Sequence, residues 1–332
     1  MRFLTISTFL VLTSVALAEP PAGYKLEKTI PIPGGGGWDY LTVDATGRRV
    51  YVSHGTQVEV LDADSGEHKG TIADTSGVHG IAIAGGLGKG FTSNGRSNNV
   101  LVFDLKTLKP LGTVATGRNP DGILYDSATK RVFAFNGGGK SATAIDAADA
   151  KVAGTVDLGG KPEGCVSDGA GNIFVNLEDT AEVVKFDAKE LKVLERWSVA
   201  PAKLPVSLAI DPETNRLFVG CRSKSLLVMD AKTGKTITTL PIGDRVDAGA
   251  YDPETKLIFC SCGDGTTAVV KQESADKYTA VEMVKTRQGS KTMALDPKTH
   301  RLFLPAVEYK PATGGGRPMA VPGSFALLIY GR

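Results

Sequence analysis

Six ionisable side chains recur through this 332-residue chain at a nearly constant interval: Asp39, His79, Asp121, Glu163, Asp247 and Lys291. Val206 holds the equivalent place between Glu163 and Asp247. Four carboxylates, an imidazole and an ammonium at one repeated position exceed what a scaffold needs. A concave mouth lined with convergent polar groups is the usual place for a ligand. Carboxylate oxygens suit calcium or magnesium, and a histidine among them also admits a transition metal. Asp39, His79, Asp121 and Glu163 are therefore the candidate metal ligands. A second series, His54, Asn94, Asn136, Cys221 and Cys262, lies ten residues after a repeated anchor and adds His54, Asn94 and Asn136 as candidate ligand contacts. Arg245, beside Asp247, supplies balancing charge, as do Arg118, Lys161 and Lys203, while Trp38 supplies an aromatic surface.

Other chemistries lack their residues. No serine stands in a Gly-x-Ser-x-Gly setting, and His54 and His79 fall in separate repeats with no obvious nucleophile. Neither glycine run, 34–37 or 137–139, opens the helix of a phosphate loop, and although Lys140-Ser141 follows the second, no glycine stands five residues before Gly139. Four cysteines allow structural thiols or one bridge between repeats, and neither pattern is a cysteine metal site. A formal net charge of +2 points to neither nucleic acid nor a membrane surface.

The elements that position these residues are short strands separated by Asx, Pro and Gly turns. Each repeat is anchored where its first strand ends: Asp44, Ala84, Asp126, Asp168, Asp211, Asp252 and Asp296. The gaps of 40 to 44 residues match a four-stranded propeller blade. An aromatic follows in each second strand: Tyr51, Phe91, Phe133, Phe174, Phe218, Phe259 and Phe303. The chain is expected to be an all-β, seven-bladed β-propeller with blades at 38–75, 76–117, 118–160, 161–202, 203–244, 245–288 and 289–332. The last repeat stops after its third strand, whereas the segment 24–33 (KLEKTIPIPG in the main) reads as a fourth strand without a blade. It should complete the seventh blade and close the ring.

The DATGRRVYVS, DSATKRVFAF, DPETNRLFV and DPKTHRLFLP turns, with the D-A-K-T-G-K and D-L-K-T-L-K turns, resemble the forty-residue repeats of YVTN-type bacterial propellers, the YncE-like family. The resemblance spans residues 19–332. It implies a seven-bladed exported fold and assigns no reaction; for some members it implies single-stranded DNA binding. The first 18 residues, one arginine followed by an apolar run and Ala16-Leu17-Ala18, read as a signal peptide cleaved after Ala18. A periplasmic or secreted monomer follows, with no membrane span in the mature chain.

The function expected is recognition of a small ligand, metal or periplasmic protein at the polar funnel. The rival is a metal-assisted, lactonase-like hydrolase or lyase using the same ring. Single-stranded DNA binding would need stacking aromatics on a basic groove, and the sequence offers only Trp38, Tyr40 and scattered arginines there. Residues 308–324, rich in Gly and Pro, read as a mobile flap over the funnel.

Overall fold

A computed structural model describes residues 22–35, 37–310 and 319–332. The expected leader at 1–18 lies outside the described residues. Apart from one 3-10 turn at Gly85–Leu87, the described elements are strands, and none is a helix long and apolar enough to cross a membrane. Blade five shows the plan: Pro205–Asp211, Arg216–Cys221, Ser225–Asp230 and Thr236–Pro241 form an antiparallel meander.

Six sheets follow that order, and the seventh differs as the chain ends require. In it Lys25–Pro31 pairs antiparallel with Ala326–Gly331, completing the sheet begun by Ala294–Asp296 and Arg301–Ala306. The ring is closed by the N-terminal strand. The added strand covers the edge that Ala326–Gly331 would otherwise leave open and ties the two ends of the chain into one blade.

The middle strands of each blade bury both faces, which is why they read as nearly continuous apolar runs rather than alternating ones. Their apolar residues form seven clusters, each between two neighbouring blades. The repeated second-strand aromatics are all at most 2 % exposed. Core and inter-blade interface are the same thing here.

The anchor aspartates explain their own recurrence. Asp126, Asp211, Asp252 and Asp296 are buried, and each accepts a hydrogen bond from the threonine three residues on, closing the turn. Their free capacity reaches the next blade. Ser167 donates to Asp126, Gln272 to Asp211, and Arg48 to Asp296, while His300 Nδ1 lies 2.7 Å from Asp252. These links occupy the face opposite the ionisable ring, so one face is spent on holding blades together.

The connection within the last blade is more regular than expected. Tyr309–Lys310 pairs with Met319–Ala320 as a two-stranded hairpin, because the stem residues can satisfy each other's backbone groups. Residues 311–318, the tip of the expected flap, lie outside the described residues.

Candidate functional site

The first strands line the axis: Leu41–Asp44, Val78–Ala84, Pro120–Asp126, Pro162–Ser167, Pro205–Asp211, Val246–Asp252 and Ala294–Asp296. Neighbouring first strands approach closely enough that some positions exclude a side chain. A Cβ on Gly164 would lie 2.5 Å from the Val206 carbonyl oxygen, and one on Gly122 would lie 3.0 Å from that of Glu163. Narrow spacing at the axis demands these glycines. Gly80, Gly122 and Gly164 line a cavity of about 180 Å³ on this axis, which sets the residue before each of them, His79, Asp121 and Glu163, at its rim.

Buried polar residues in the second strands hold this rim in place. Ser53 Oγ accepts from the Asp39 amide at 2.8 Å. Ser93 donates to the Asp121 carbonyl, Ser261 to that of Lys291 and Asn176 to that of Ser207, each in the next blade. Sequence reasoning passed over Ser53, Ser93 and Ser261. Their signal was a polar residue inside an apolar run, in YVSH, FTSN and FCSC.

The ring divides into two halves. On one side the charges neutralise one another. Lys161 Nζ lies 2.5 Å from both Glu163 and Glu178; Arg222 reaches Glu178 at 2.5 Å and Asp247 at 2.8 Å; Lys291 also pairs with Asp247. Arg222 and Glu178, from the connections between second and third strands, fill the gap left by Val206. Glu178 stands ten residues after the Asp168 anchor, at the second repeated position, whereas Arg222 lies one residue beyond that position and periodicity did not select it.

The other half is open. His79 Nδ1 lies 2.6 Å from Asp39 Oδ2 and 3.6 Å from Asp121 Oδ1. One donor atom from each of these three residues falls within 4.8 Å of the others. The side chains remain accessible, at 21 %, 28 % and 15 % for Asp39, His79 and Asp121. Of the four expected metal ligands, Glu163 stands apart, held by Lys161.

The electrostatics follow from burial and crowding. Burial raises the Asp121 carboxyl to about 6, with Asp39 and Asp247 adding to the rise and His79 opposing it. Burial and the neighbouring Asp121 charge push Glu163 up to about 8, against the pull of Lys161. For His79, burial disfavours the cation, but the hydrogen bond to Asp39 and the charge of Asp121 outweigh it and raise the imidazole. Tyr40, lining the cavity, is raised well above its ordinary range by burial and by Asp121 and Asp39, so its hydroxyl stays protonated.

Glu163 makes a pH prediction. A carboxyl raised to about 8 lets the native state bind more protons than the unfolded chain between roughly pH 4 and pH 8. Its favourable contribution is complete below that window and is lost as pH rises through it. Glu163→Gln should therefore melt a few °C above the parent at pH 9 and at the parent's temperature at pH 4. Equal melting at both values would show that Lys161 already neutralises Glu163.

Three expected ligand contacts are corrected. His54 is 2 % exposed, its ring 4.5 Å from that of Phe325, in the packing between blades seven and one. Asn94 and Asn136 are fully buried, bonding Asn99 in one case and Ser141 and Thr143 in the other. These residues end the second strands, where side chains point into the blade wall and not the funnel. Arg245 donates to the Gly263 carbonyl, stapling the connection that follows its blade's second strand. All four cysteines are free; Cys221, Cys260 and Cys262 are buried, and Cys165 lines the axial cavity.

No protein-family model and no curated protein matches the chain. Solved structures do. A chain of the mitotic checkpoint complex superposes with a TM-score of 0.78 at 16 % identity, covering 100 % of this chain and 99 % of that one. The WD40 repeats of RRP9 give 0.76 at 11 % identity, covering 94 % and 99 %. A chain of Kuenenia stuttgartiensis hydrazine synthase gives 0.72 at 15 % identity, covering 82 % and 93 %. Likeness at such identities concerns the fold, and on that the sheet order and the comparisons agree: the chain is a seven-bladed β-propeller.

Proposed function

We propose that this chain is an exported recognition propeller, of the YVTN or YncE-like kind, that binds a small ligand, ion or partner at the open half of its ionisable ring. The observation that carries this is the meeting of Asp39, His79 and Asp121 from three separate blades at the rim of the axial cavity. The opposite half of the ring spends its charges on internal pairs, as a scaffold would. The open half keeps two carboxylates and an imidazole accessible, with Asp121 at about 6. Buried like charges lower stability, and functional sites are where such arrangements concentrate.

The test is a thermal-shift screen of divalent cations, sugars and organic acids against the protein and its Asp39→Ala, Asp121→Ala double variant. A compound that raises the parent's melting temperature and leaves the folded variant unmoved supports the reading. Hits that stabilise both proteins equally would remove the ring from the binding site.

The proximity of the three donors also favours a second reading, metal-assisted hydrolysis. Asp39, His79 and Asp121 would hold a divalent cation, whose chemistry is to polarise a carbonyl oxygen. Metal content near one per chain, lost in His79→Ala, with ester or lactone turnover abolished by a chelator, is the expected result of that reading. The loss in metal affinity should exceed the roughly 10–100-fold seen when only a supporting residue is removed. Saturable binding without turnover would leave recognition as the function.

A further inference from the structure

The proposed site has a neighbour that its three ionisable residues do not account for. Beside the Asp39–His79 pair, between the mouths of blades one and two, lies an open cavity of about 460 Å³. Trp38 forms one side, His79 lies at its junction with the ring, and Thr56, Arg96 and Asn119 are further polar members of its lining. Glycines, Gly37 and Gly55 among them, form much of the remaining wall.

Arg96 is the unusual member. Three other arginines around this mouth are engaged: Arg118 donates to the Gly138 carbonyl, Arg222 to Glu178 and Asp247, and Arg245 to the Gly263 carbonyl. Arg96 has neither a carboxylate nor a carbonyl partner among the described residues, although its chain is laid across Gly77, where a Cβ would meet its Cγ at 2.6 Å. That contact directs a guanidinium from the connection after Asn94 over the cavity. A planar guanidinium with five donors and no acceptor is suited to an oxyanion, which it can grip through two parallel hydrogen bonds. Asn119 sits near His79 Nε2, since a Cβ on Gly95 would lie within 2.7 Å of both its Oδ1 and that nitrogen.

Charge complementarity agrees. Asp39 is the carboxylate lining this cavity and is engaged by His79 at 2.6 Å, so the Arg96 charge is uncompensated locally. The indole of Trp38 is half-buried, backed by Phe325 at 5.5 Å, and therefore held as a rigid flat wall. Glycine walls let a ligand approach main chain without meeting side chains.

We propose that this cavity takes a small organic anion: a carboxylate or phosphate group on Arg96 and Asn119, and a flat or apolar body against Trp38. The inference rests on the funnel-binding reading and specifies its ligand class. Catalysis is not required by it.

Trp38 is itself the reporter. The chain has two tryptophans, and Trp197 packs against Phe174 at the outer edge of blade four, so Trp197→Phe leaves Trp38 as the sole indole. Titrating that protein with benzoate and with inorganic phosphate should change its fluorescence saturably, benzoate binding more tightly because it also covers the ring. Arg96→Ala should weaken both by at least about tenfold, the usual scale of a charge-assisted hydrogen bond. Arg96→Lys should recover only part, since a point charge lacks the fork. Arg96 is exposed, so these variants should keep the parent's melting temperature.

No saturable signal with either anion, or affinities unchanged in folded Arg96→Ala, would overturn the proposal. If the thermal-shift screen still yields a ligand lost in Asp39→Ala, Asp121→Ala, the anion inference falls while funnel recognition stands. If neither experiment yields binding, both fall.

Discussion

Removing the closing strand, residues 24–33, should abolish the single cooperative melting transition and turn the protein into an aggregating species. The strand supplies six paired positions along Ala326–Gly331, a strand whose residues are all buried. It also carries Tyr24 into the cluster between blades six and seven, and Ile30 and Ile32 into the cluster between seven and one. Burying such side chains is worth about 1.5–3 kcal/mol each, against a total stability of roughly 5–15 kcal/mol for a typical protein. Without it, blade seven is left with three strands and a new open edge along the buried, mainly apolar Ala326–Gly331. Sedimentation velocity and circular dichroism melting would check this, with a synthetic 24–33 peptide added to restore the edge by strand addition. A deletion variant that remains monomeric and melts cooperatively at the parent's temperature would show that the ring does not depend on this closure.

Arg48→Ala should be the most destabilising single substitution on the face opposite the funnel. Its guanidinium donates at 3.0 and 2.8 Å to the two oxygens of Asp296, which is fully buried, and also to Asp64. Removing it leaves a buried carboxylate without its counter-ion, a change that ordinarily costs 3–5 kcal/mol. For a chain of this length the melting temperature should fall by about 10 °C. Burial alone would raise the Asp296 carboxyl, but hydrogen bonds from Arg48 and Thr299 outweigh it and hold it below the ordinary range. The sign follows: the stabilisation is present above the unfolded carboxylate pKa and is lost as pH falls through the lower, folded value.

The gap between parent and Arg48→Ala should therefore be widest near neutrality and narrow on acidification. Arg48→Ala combined with Asp296→Asn should be less destabilised than Arg48→Ala alone, because the unpaired charge is then gone. A drop of only a degree or two at pH 7 would show Arg48 to be a surface residue in energetic terms. Position 48 also has a left-handed backbone, φ 52°. The same turn position is left-handed in Lys130, Asn215, Lys256 and His300, and His300 likewise reaches the preceding blade's anchor, Asp252.

Much of the architecture was legible because a propeller writes its period into the chain. The anchor aspartates cap local turns through residues three positions away, and the second-strand aromatics sit at a fixed distance from them. Local rules of that kind survive translation along the sequence. The unpaired strand at 24–33 was legible for the same reason, since its missing blade mates were conspicuous.

The site was legible only as far as the period reached it. Asp39, His79, Asp121, Glu163, Asp247 and Lys291 share one repeat position, and the fold brings that position to one rim. Which of them remain open was decided by contacts between blades: Lys161, Glu178 and Arg222 neutralise the Glu163–Asp247 side, whereas among the described residues the Asp39–Asp121 side has only His79. His54, Asn94 and Asn136 were misplaced because one residue along a strand reverses the face a side chain takes. Ser53, Ser93 and Ser261, one residue earlier, are the ones that bond the rim backbone. Blade count, closure and the ring of first-strand residues could be read from spacing alone. Pairing, burial and the cavity beside Arg96 could not, because they depend on side chains that meet across blades some forty residues apart.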